Sequence, residues 1–308
     1  MDAATMAAYS VDVKPMLAVP QDGRRIETLS GSHTFDVKLD GIRALAFWDG
    51  SQLLIRNRSG RDITHRFPEL EVSAPEVFGN LPTVVDGEIV AVSGSFQDTA
   101  KRDKQNKPED VARVMHQIPV QYVAFDCLYA AGTDRRGESY LDRRDLLDAV
   151  GLSAGFWSAS VISTDPSFFE AVRKLGMEGV IAKRNRSSYR PGKNGEWIKF
   201  KATHTITAIG VGYEKGEGAR SHFGAMFLAL IGDDGKPQQI GRVGTGFTNR
   251  EIDHLKAEFD AGHPVLVEIE CLNVTKDGAL RFPSYKGIRT DLTWSAASIH
   301  QLDSIPRT

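Results

Sequence analysis

The sequence predicts an α+β chain of two domains, and it does so through its length, a change of pattern near residue 204, and the period of its apolar residues. At 308 residues, 41% hydrophobic and 25% charged, the chain is long enough for two cores of ordinary domain size. Residues 1–203 mix strand and helix patterns, whereas residues 204–308 carry short strand patterns around a single helical stretch.

Taken in order, residues 34–92 read as a strand meander. Phe35, Val37 and Leu39 alternate with Asp36, Lys38 and Asp40, Asp49-Gly50 offers a tight turn, and 84-VVDGEIVAV-92 is a further strand. The charged stretch 98-DTAKRDKQNKPEDVARVMH-116 is a helix or a surface excursion ahead of the strand 120-VQYVAFDCLY-129. A helix is predicted over 141–151 with Gly151 at its end, and another through 168–176, where Pro166 suits the first turn and Gly176 the stop. The short strands 178-EGVIAK-183 and 196-EWIKFK-201 flank a polar, turn-rich loop. Beyond them lie 205-TITAIGVGYEK-215, 223-FGAMFLALIG-232, 239-QIGRVGTGF-247 and 264-PVLVEIECLNVT-275, with the helical 250-REIDHLKAEFD-260 interposed. Five or so strands with one helix among them fit a small β-barrel of the oligonucleotide-binding (OB) type. No internal repeat and no low-complexity tract interrupts the pattern.

Composition narrows the function. With 38 basic and 40 acidic side chains the net charge is −2, so a nucleic-acid partner must be held by a local basic face. Cys127 and Cys271 match no zinc or redox spacing and read as small buried hydrophobes in a reducing compartment. The N-terminal stretch has no signal-peptide pattern and no apolar run reaches the ~18 residues a bilayer needs, so a cytoplasmic protein without a membrane partner is expected. No Walker loop exists, because Gly192-Lys193 runs into Asn194 and Gly235-Lys236 into Pro237. Gly244-Thr245-Gly246 lacks the third glycine of a dinucleotide fingerprint and reads as a barrel turn. The eight histidines form no pair at helical metal spacing and there is no Gly-x-Ser-x-Gly elbow, which leaves catalysis to lysines and carboxylates.

Lys38 and Asp40 stand out among these. Two residues apart on a strand they share a face, while Gly41 breaks the ladder and lets Arg43 approach from the next strand. A lysine acts as a nucleophile only when neutral, a state that desolvation and nearby cations such as Lys199 and Lys201 favour. A surface strand of alternating charge explains the same spacing equally well.

The spacing does not stand alone. The segment 38-KLDGIR-43 resembles the Lys-x-Asp-Gly-x-Arg signature of covalent nucleotidyltransferases, followed in the expected order by 86-DGE-88, 125-FDCLY-129, 178-EGVIAK-183, 197-WIKFK-201 and 281-RFPSYKGIRTD-291. From about Lys14 to about Leu292 the chain is similar to ATP-dependent DNA ligases of the compact viral or bacterial end-joining kind. Segments 57-NRSGRDIT-64 and 241-GRVGTGF-247 lean toward the latter.

That resemblance implies an adenylyltransferase domain of antiparallel sheets with flanking helices, ATP-grasp-like, followed by a C-terminal OB-fold barrel. It implies that Lys38 takes AMP from ATP, passes it to the 5′-phosphate of nicked double-stranded DNA, and that the 3′-hydroxyl then displaces AMP. Magnesium is the implied ion, with manganese as a substitute. By the same likeness Asp36 occupies the position of a glutamate that reaches the adenine amino group, Arg43 contacts ribose or phosphate, Glu88 binds the ribose hydroxyl and helps with metal, and Phe125 stacks on adenine. Glu178 becomes the leading metal carboxylate, Lys199 and Lys201 the α-phosphate ligands, and Arg58 a ligand of the nick 5′-phosphate. The C-terminal element departs from the family pattern Arg-x-Asp-Lys, reading Arg289-Thr290-Asp291-Leu292, which predicts slower formation of the lysyl adduct. The 37 residues before Lys38 leave no room for a nicotinamide-binding extension, so ATP is the expected cofactor and a monomer the expected state. DNA contact is expected from the turn 184-RNRSSYRPGK-193 and the loop 214-EKGEGARSH-222. The rival readings are an RNA ligase or capping-type nucleotidyltransferase, and a DNA-end-binding module without catalysis.

Overall fold

A computed structural model describes residues 3–152, 154–216 and 222–307, so part of the loop 214–222 lies outside the described residues. In chain order the helices and strands are α1 (Ala3–Asp12), β1 (Met16–Pro20), β2 (His33–Val37), β3 (Ile42–Trp48), β4 (Leu53–Asn57), α2 (Pro68–Phe78) and β5 (Thr83–Ala91). There follow α3 (Phe96–Asp103), α4 (Pro108–Gln117), β6 (Val120–Ala130), β7 (Thr133–Asp134), α5 (Tyr140–Val150), β8 (Trp157–Ala159), β9 (Ile162–Ser163), α6 (Phe168–Lys174), β10 (Gly179–Arg184) and β11 (Gly192–Lys201). The remainder is β12 (His204–Glu214), β13 (Ala225–Ile231), β14 (Pro237–Val243), α7 (Asn249–Asp260), β15 (Val265–Cys271), β16 (Asn273–Val274), β17 (Leu280–Arg281) and β18 (Ser284–Ile288).

Contacts divide the chain into two units, one of residues 1–169 with 179–200, the other of residues 170–178 with 201–308. The segment 170–178 therefore packs with the second unit, although the change of sequence pattern falls at 204. The first unit holds two sheets, ordered β1-β11-β10-β2-β9 and β4-β3-β5-β6-β7, with β8 added beside β6. Antiparallel pairing predominates, but β1 runs parallel to β11 and β8 parallel to β6, which departs from the all-antiparallel expectation.

The meander expected over 34–92 is corrected in two places. Its first strand, β2, pairs with β10 and β9 in the first sheet, while β3, β4 and β5 belong to the second. Helix α2 interrupts it, burying Leu70, Ala74 and Phe78 on one face with Pro68 in its first turn. Alternation in β2 also did not mean one wet face: all five residues from His33 to Val37 are buried, Asp36 included. Strand β3 is likewise covered on both sides. Leu45 and Phe47 join Met16, Phe125, Tyr189 and Trp197 between the sheets, while Ala44, Ala46 and Trp48 pack with Leu70, Phe78, Leu147 and Trp157. The charged stretch 98–116 resolves into α3 and α4, the former capped by the Ser95 hydroxyl accepting from the Asp98 N–H.

In the second unit the sheet order is β14-β13-β12-β15-β18, with α7 started by a capping box of Thr248 and Glu251. Apolar residues of alternating register, among them Ile206, Ala208, Leu228, Leu230, Val267 and Ile269, fill one core. This is the OB-fold half-barrel, and its fifth strand, β18, lies inside the element 281–291 that carried the family resemblance. Cys127 and Cys271 are both buried free thiols, their pKa values pushed up by burial to about 12 and about 11.

Candidate active site

Lys38 lies on the connection that leaves one sheet and enters the other. Strand β2 ends at Val37, the Lys38 N–H donates to the Gly179 carbonyl at 2.8 Å, and β3 begins at Ile42. Gly41 is required there for space, since a Cβ would stand 2.3 Å from the Ile89 carbonyl oxygen and 2.9 Å from Glu88 Cγ. Gly87, between Asp86 and Glu88, is held to glycine by the Tyr122 ring, which would meet a Cβ at 2.4 Å. Close approach thus explains both motif glycines.

Lys38 opens on a cavity of about 310 Å3 between the two sheets, into which Asp36, Arg43, Arg58, Glu88, Phe125 and Lys199 also project. Six basic side chains line it against two acidic ones, Lys183 and Lys193 completing the basic set. A cavity so biased in a chain of net charge −2 favours an anion. In the β3–β5 ladder Arg43 lies opposite Glu88, and the Arg58 N–H donates to the Arg43 carbonyl at 3.1 Å, so β3 organises all three residues.

The inner wall rests on two buried ion pairs. Lys183 Nζ donates to Asp36 Oδ2 and to the Phe125 carbonyl, each at 2.8 Å, and stands 4.4 Å from the centroid of the Phe125 ring. Burial pulls the Lys183 pKa below its ordinary value against the opposing pull of Asp36. Arg43 donates from Nε and Nη2 to the two oxygens of Asp86 at 2.6 Å each, and its guanidinium lies 4.4 Å from the same Phe125 ring. Burial works against the Arg43 charge, and the Asp86 carboxylate more than offsets it, so the pKa rises. The Tyr189 hydroxyl donates to Asp86 at 2.6 Å and accepts from the Met16 N–H at 2.9 Å, tying β1 into the network. Asp36 Oδ1 and Trp197 Nε1 are buried without a hydrogen-bond partner among the described residues, one acceptor and one donor in the wall of the same cavity.

The other site residues belong to the second unit. The Glu178 carbonyl accepts from the Ala202 N–H, and Lys201 is exposed. Arg289 donates to both oxygens of Asp291 and to Glu268 Oε2, all at 2.8 Å, and the pairing pulls the Asp291 pKa down to about 2. No cluster of three or more His, Cys, Asp or Glu side chains forms a metal cage among the described residues.

The ATP dependent DNA ligase domain model matches residues 15–201, more than half of the chain and the whole of the Lys38 cavity. The chain belongs to the ATP-dependent DNA ligase family. It is 33% identical to the multifunctional non-homologous end joining protein LigD of Mycolicibacterium smegmatis, over 92% of this chain and 39% of that protein. It is 29% identical to a DNA ligase of Natronomonas pharaonis, over 95% of this chain and 58% of the relative. The chain thus spans about two-fifths of the length of the LigD proteins it matches. Among solved structures, mycobacterial DNA ligase D complexed with ATP and MES aligns over 93% of this chain and 98% of its own, at 30% identity and a TM-score of 0.56. A Lig E DNA ligase shares the fold at 22% identity and a TM-score of 0.60.

For this ligase-family chain, sequence reasoning missed Lys183, Trp197, Asp86 and Tyr189 as parts of the site. Asp86, Lys183 and Trp197 lie within the family motifs and Tyr189 within the turn 184–193, yet the motifs alone assign none of them a role. The signal was a charge at the end of an apolar run, two residues beyond Ile181 and on the same strand face.

Proposed function

We propose that the chain is an ATP-dependent DNA ligase that seals 5′-phosphate/3′-hydroxyl nicks in duplex DNA. The observation that carries the reading is the convergence on one cation-rich cavity of Asp36 and Lys38, from β2 and the connection after it, with Glu88 of β5, Phe125 of β6 and Lys199 of β11. The deprotonated Lys38 Nζ forms a bond to the α-phosphorus of ATP while the bond from that phosphorus to the bridging oxygen breaks and pyrophosphate leaves. A 5′-phosphate oxygen of the nick then attacks the same phosphorus and the amine is regenerated. In the last step the 3′-hydroxyl attacks the 5′-phosphorus and AMP departs.

The residues divide the work by chemistry. Asp36 Oδ1, buried and without a partner, suits the adenine amino group, and Trp197 Nε1 can donate to the nucleotide. Phe125, with Arg43 and Lys183 each 4.4 Å from its ring centroid, lines the cavity and suits stacking on the adenine. Glu88 suits the ribose hydroxyl, Lys199 the α-phosphate, and Arg58 the nick 5′-phosphate. By the family likeness Lys201 would bind the α-phosphate and Arg289 the leaving pyrophosphate. Arg43, held by Asp86 through Nε and Nη2, also lines the cavity and suits the ribose or a phosphate.

Glu88, in the cavity wall, suits a magnesium or manganese ion that would arrive on ATP, because Mg²⁺ binds through one or two carboxylates plus phosphates and keeps several waters, and the family likeness makes Glu178 the leading metal carboxylate. Such an ion would neutralise charge on the transferring phosphoryl oxygens.

The test is incubation with α-labelled ATP and magnesium, followed by nicked DNA. An acid-labile adduct absent from Lys38→Ala and discharged by nicked DNA is expected. Labelling by GTP would mean a capping-type enzyme, and no labelling of AMP-free protein would overturn the reading in favour of a binding module.

A further inference from the structure

The second unit has a cavity of its own, of about 250 Å3, walled by the end of α6, the first residue of β12 and the C-terminal segment 303–306. Arg173, Lys174 and His204 supply its basic lining and Asp303 its acidic one, with Ile305 and Pro306 as an apolar floor. Two neighbouring residues tie the walls together. Asn273 Nδ2 donates to the Gly176 carbonyl at 3.2 Å, just beyond α6, and the Val274 N–H donates to the Pro306 carbonyl at 3.0 Å. His204 lies opposite Cys271 in the β12–β15 ladder, so a strand and not a loop sets its position.

Arg173 directs Nε and Nη2 at Glu170 Oε2, at 3.0 and 2.9 Å, which leaves Nη1 for another acceptor. Lys174 is exposed and enters no ion pair among the described residues, while Asp303 is drawn to His300, 3.2 Å from its Nδ1. The negative end of α6 would account for two cations in its last turn. It does not account for His204, whose Nε2 is buried without a hydrogen-bond partner among the described residues. A buried polar atom left unmet costs free energy and points to a further occupant. The volume far exceeds the ~15 Å3 that a single water needs, so a four-oxygen anion fits. We propose that this cavity binds a phosphate-sized oxyanion, held by His204 Nε2, Arg173 Nη1 and Lys174 Nζ. Inorganic phosphate and pyrophosphate both carry that chemistry, and the inference stands apart from the ligase reading.

The charged groups around the ring are Glu170, Arg173 and Lys174 of α6 and Asp303 of the C-terminal segment. Burial lowers the His204 pKa below its ordinary value and the Arg173 charge lowers it further, with Glu170 opposing. A bound anion works the other way and favours the protonated ring. Binding therefore takes up a proton and tightens as pH falls.

The experiment follows the His204 ring by NMR in the whole chain, wild type and Lys174→Ala, an exposed position where truncation leaves the fold intact. The signal is assigned by its loss in His204→Gln. Inorganic phosphate and pyrophosphate are titrated against chloride at matched ionic strength, and sulfate, whose charge is constant across the range, serves for the pH series. Because the Lys38 cavity also favours anions, the local ring signal is read and not total binding. Saturable movement with phosphate or pyrophosphate is expected, the tighter ligand naming the source, with affinity about tenfold weaker in Lys174→Ala. Sulfate is expected to raise the proton affinity of His204 about tenfold in the wild type and less in the variant. A ring that moves equally with chloride, equal affinity in the two proteins, or a proton affinity unmoved by sulfate would overturn the proposal and leave the cavity to ordered water.

Discussion

Replacing Asp86 with alanine tests whether the inner wall of the site is held together by its buried carboxylate. Asp86 is 0% exposed, and accepts two bonds from Arg43 at 2.6 Å and one from Tyr189 at 2.6 Å. Without it, Arg43 keeps only the Met16 carbonyl at 3.1 Å, and the Tyr189 hydroxyl loses its acceptor. Breaking a buried ion pair by removing one partner costs about 3–5 kcal/mol. The Arg43 side chain is 18% exposed, so water recovers part of its solvation and the lower end applies, about 3 kcal/mol. For a domain of about 150–250 residues this lowers the melting temperature by about 6–12 °C. Tyr189→Phe removes one donor to Asp86 and leaves the Met16 N–H unpaired, for a smaller loss of about 1–2 kcal/mol. Urea titrations followed by tryptophan fluorescence give both values. A loss below about 1 kcal/mol for Asp86→Ala, or equal losses for the two variants, would refute the reasoning.

Two further outcomes follow from the same structure. His33 is buried beside the Ser32 hydroxyl, and burial lowers its pKa below the ordinary 6.5, so the unfolded chain takes up the proton first. Its stabilising share is complete above about pH 6.5 and is lost as pH falls through the lower folded value. The fall in urea midpoint between pH 7.5 and 5 is therefore expected to be smaller in His33→Asn, and an identical fall in both proteins counts against this assignment. At the C-terminal element, Leu292 stands where the family has lysine and is 36% exposed, so a lysine fits without repacking. Single-turnover adduct formation at low ATP is expected to be faster in Leu292→Lys, and equal rates would remove the idea that this departure slows the first step.

The parts of the fold that were legible in the sequence are those where one periodicity dominates. Helix α5 announces itself by its apolar spacing and by Gly151, which adopts the left-handed conformation at φ 69°. The barrel strands show through short alternating runs. Helix α2 was obscured because Pro75 lies inside it and reads as a breaker, although Leu70, Ala74 and Phe78 recur at helical spacing. Strand β2 misled for a different reason. Alternation of Phe35 and Val37 with Asp36 looks like one wet face, but the carboxylate is neutralised by Lys183, a residue 147 positions away that no local pattern can supply. The same limit applies to the site. Motif spacing located Lys38, Glu88 and Lys199, whereas the Asp86–Tyr189–Met16 chain that steadies Arg43 depends on long-range partners.

The backbone around Lys38 is anchored at both ends, by the Gly179 carbonyl on one sheet and by the tight seat of Gly41 against Ile89 on the other. In the proposed reaction, delivery of a nucleotidyl cargo from donor to acceptor would therefore fall to rotation about the four methylenes of one side chain, a swinging arm on a fixed post. Shortening that arm by a single carbon, with an ornithine-like analogue at position 38, would restrict its sweep even though the amine survives.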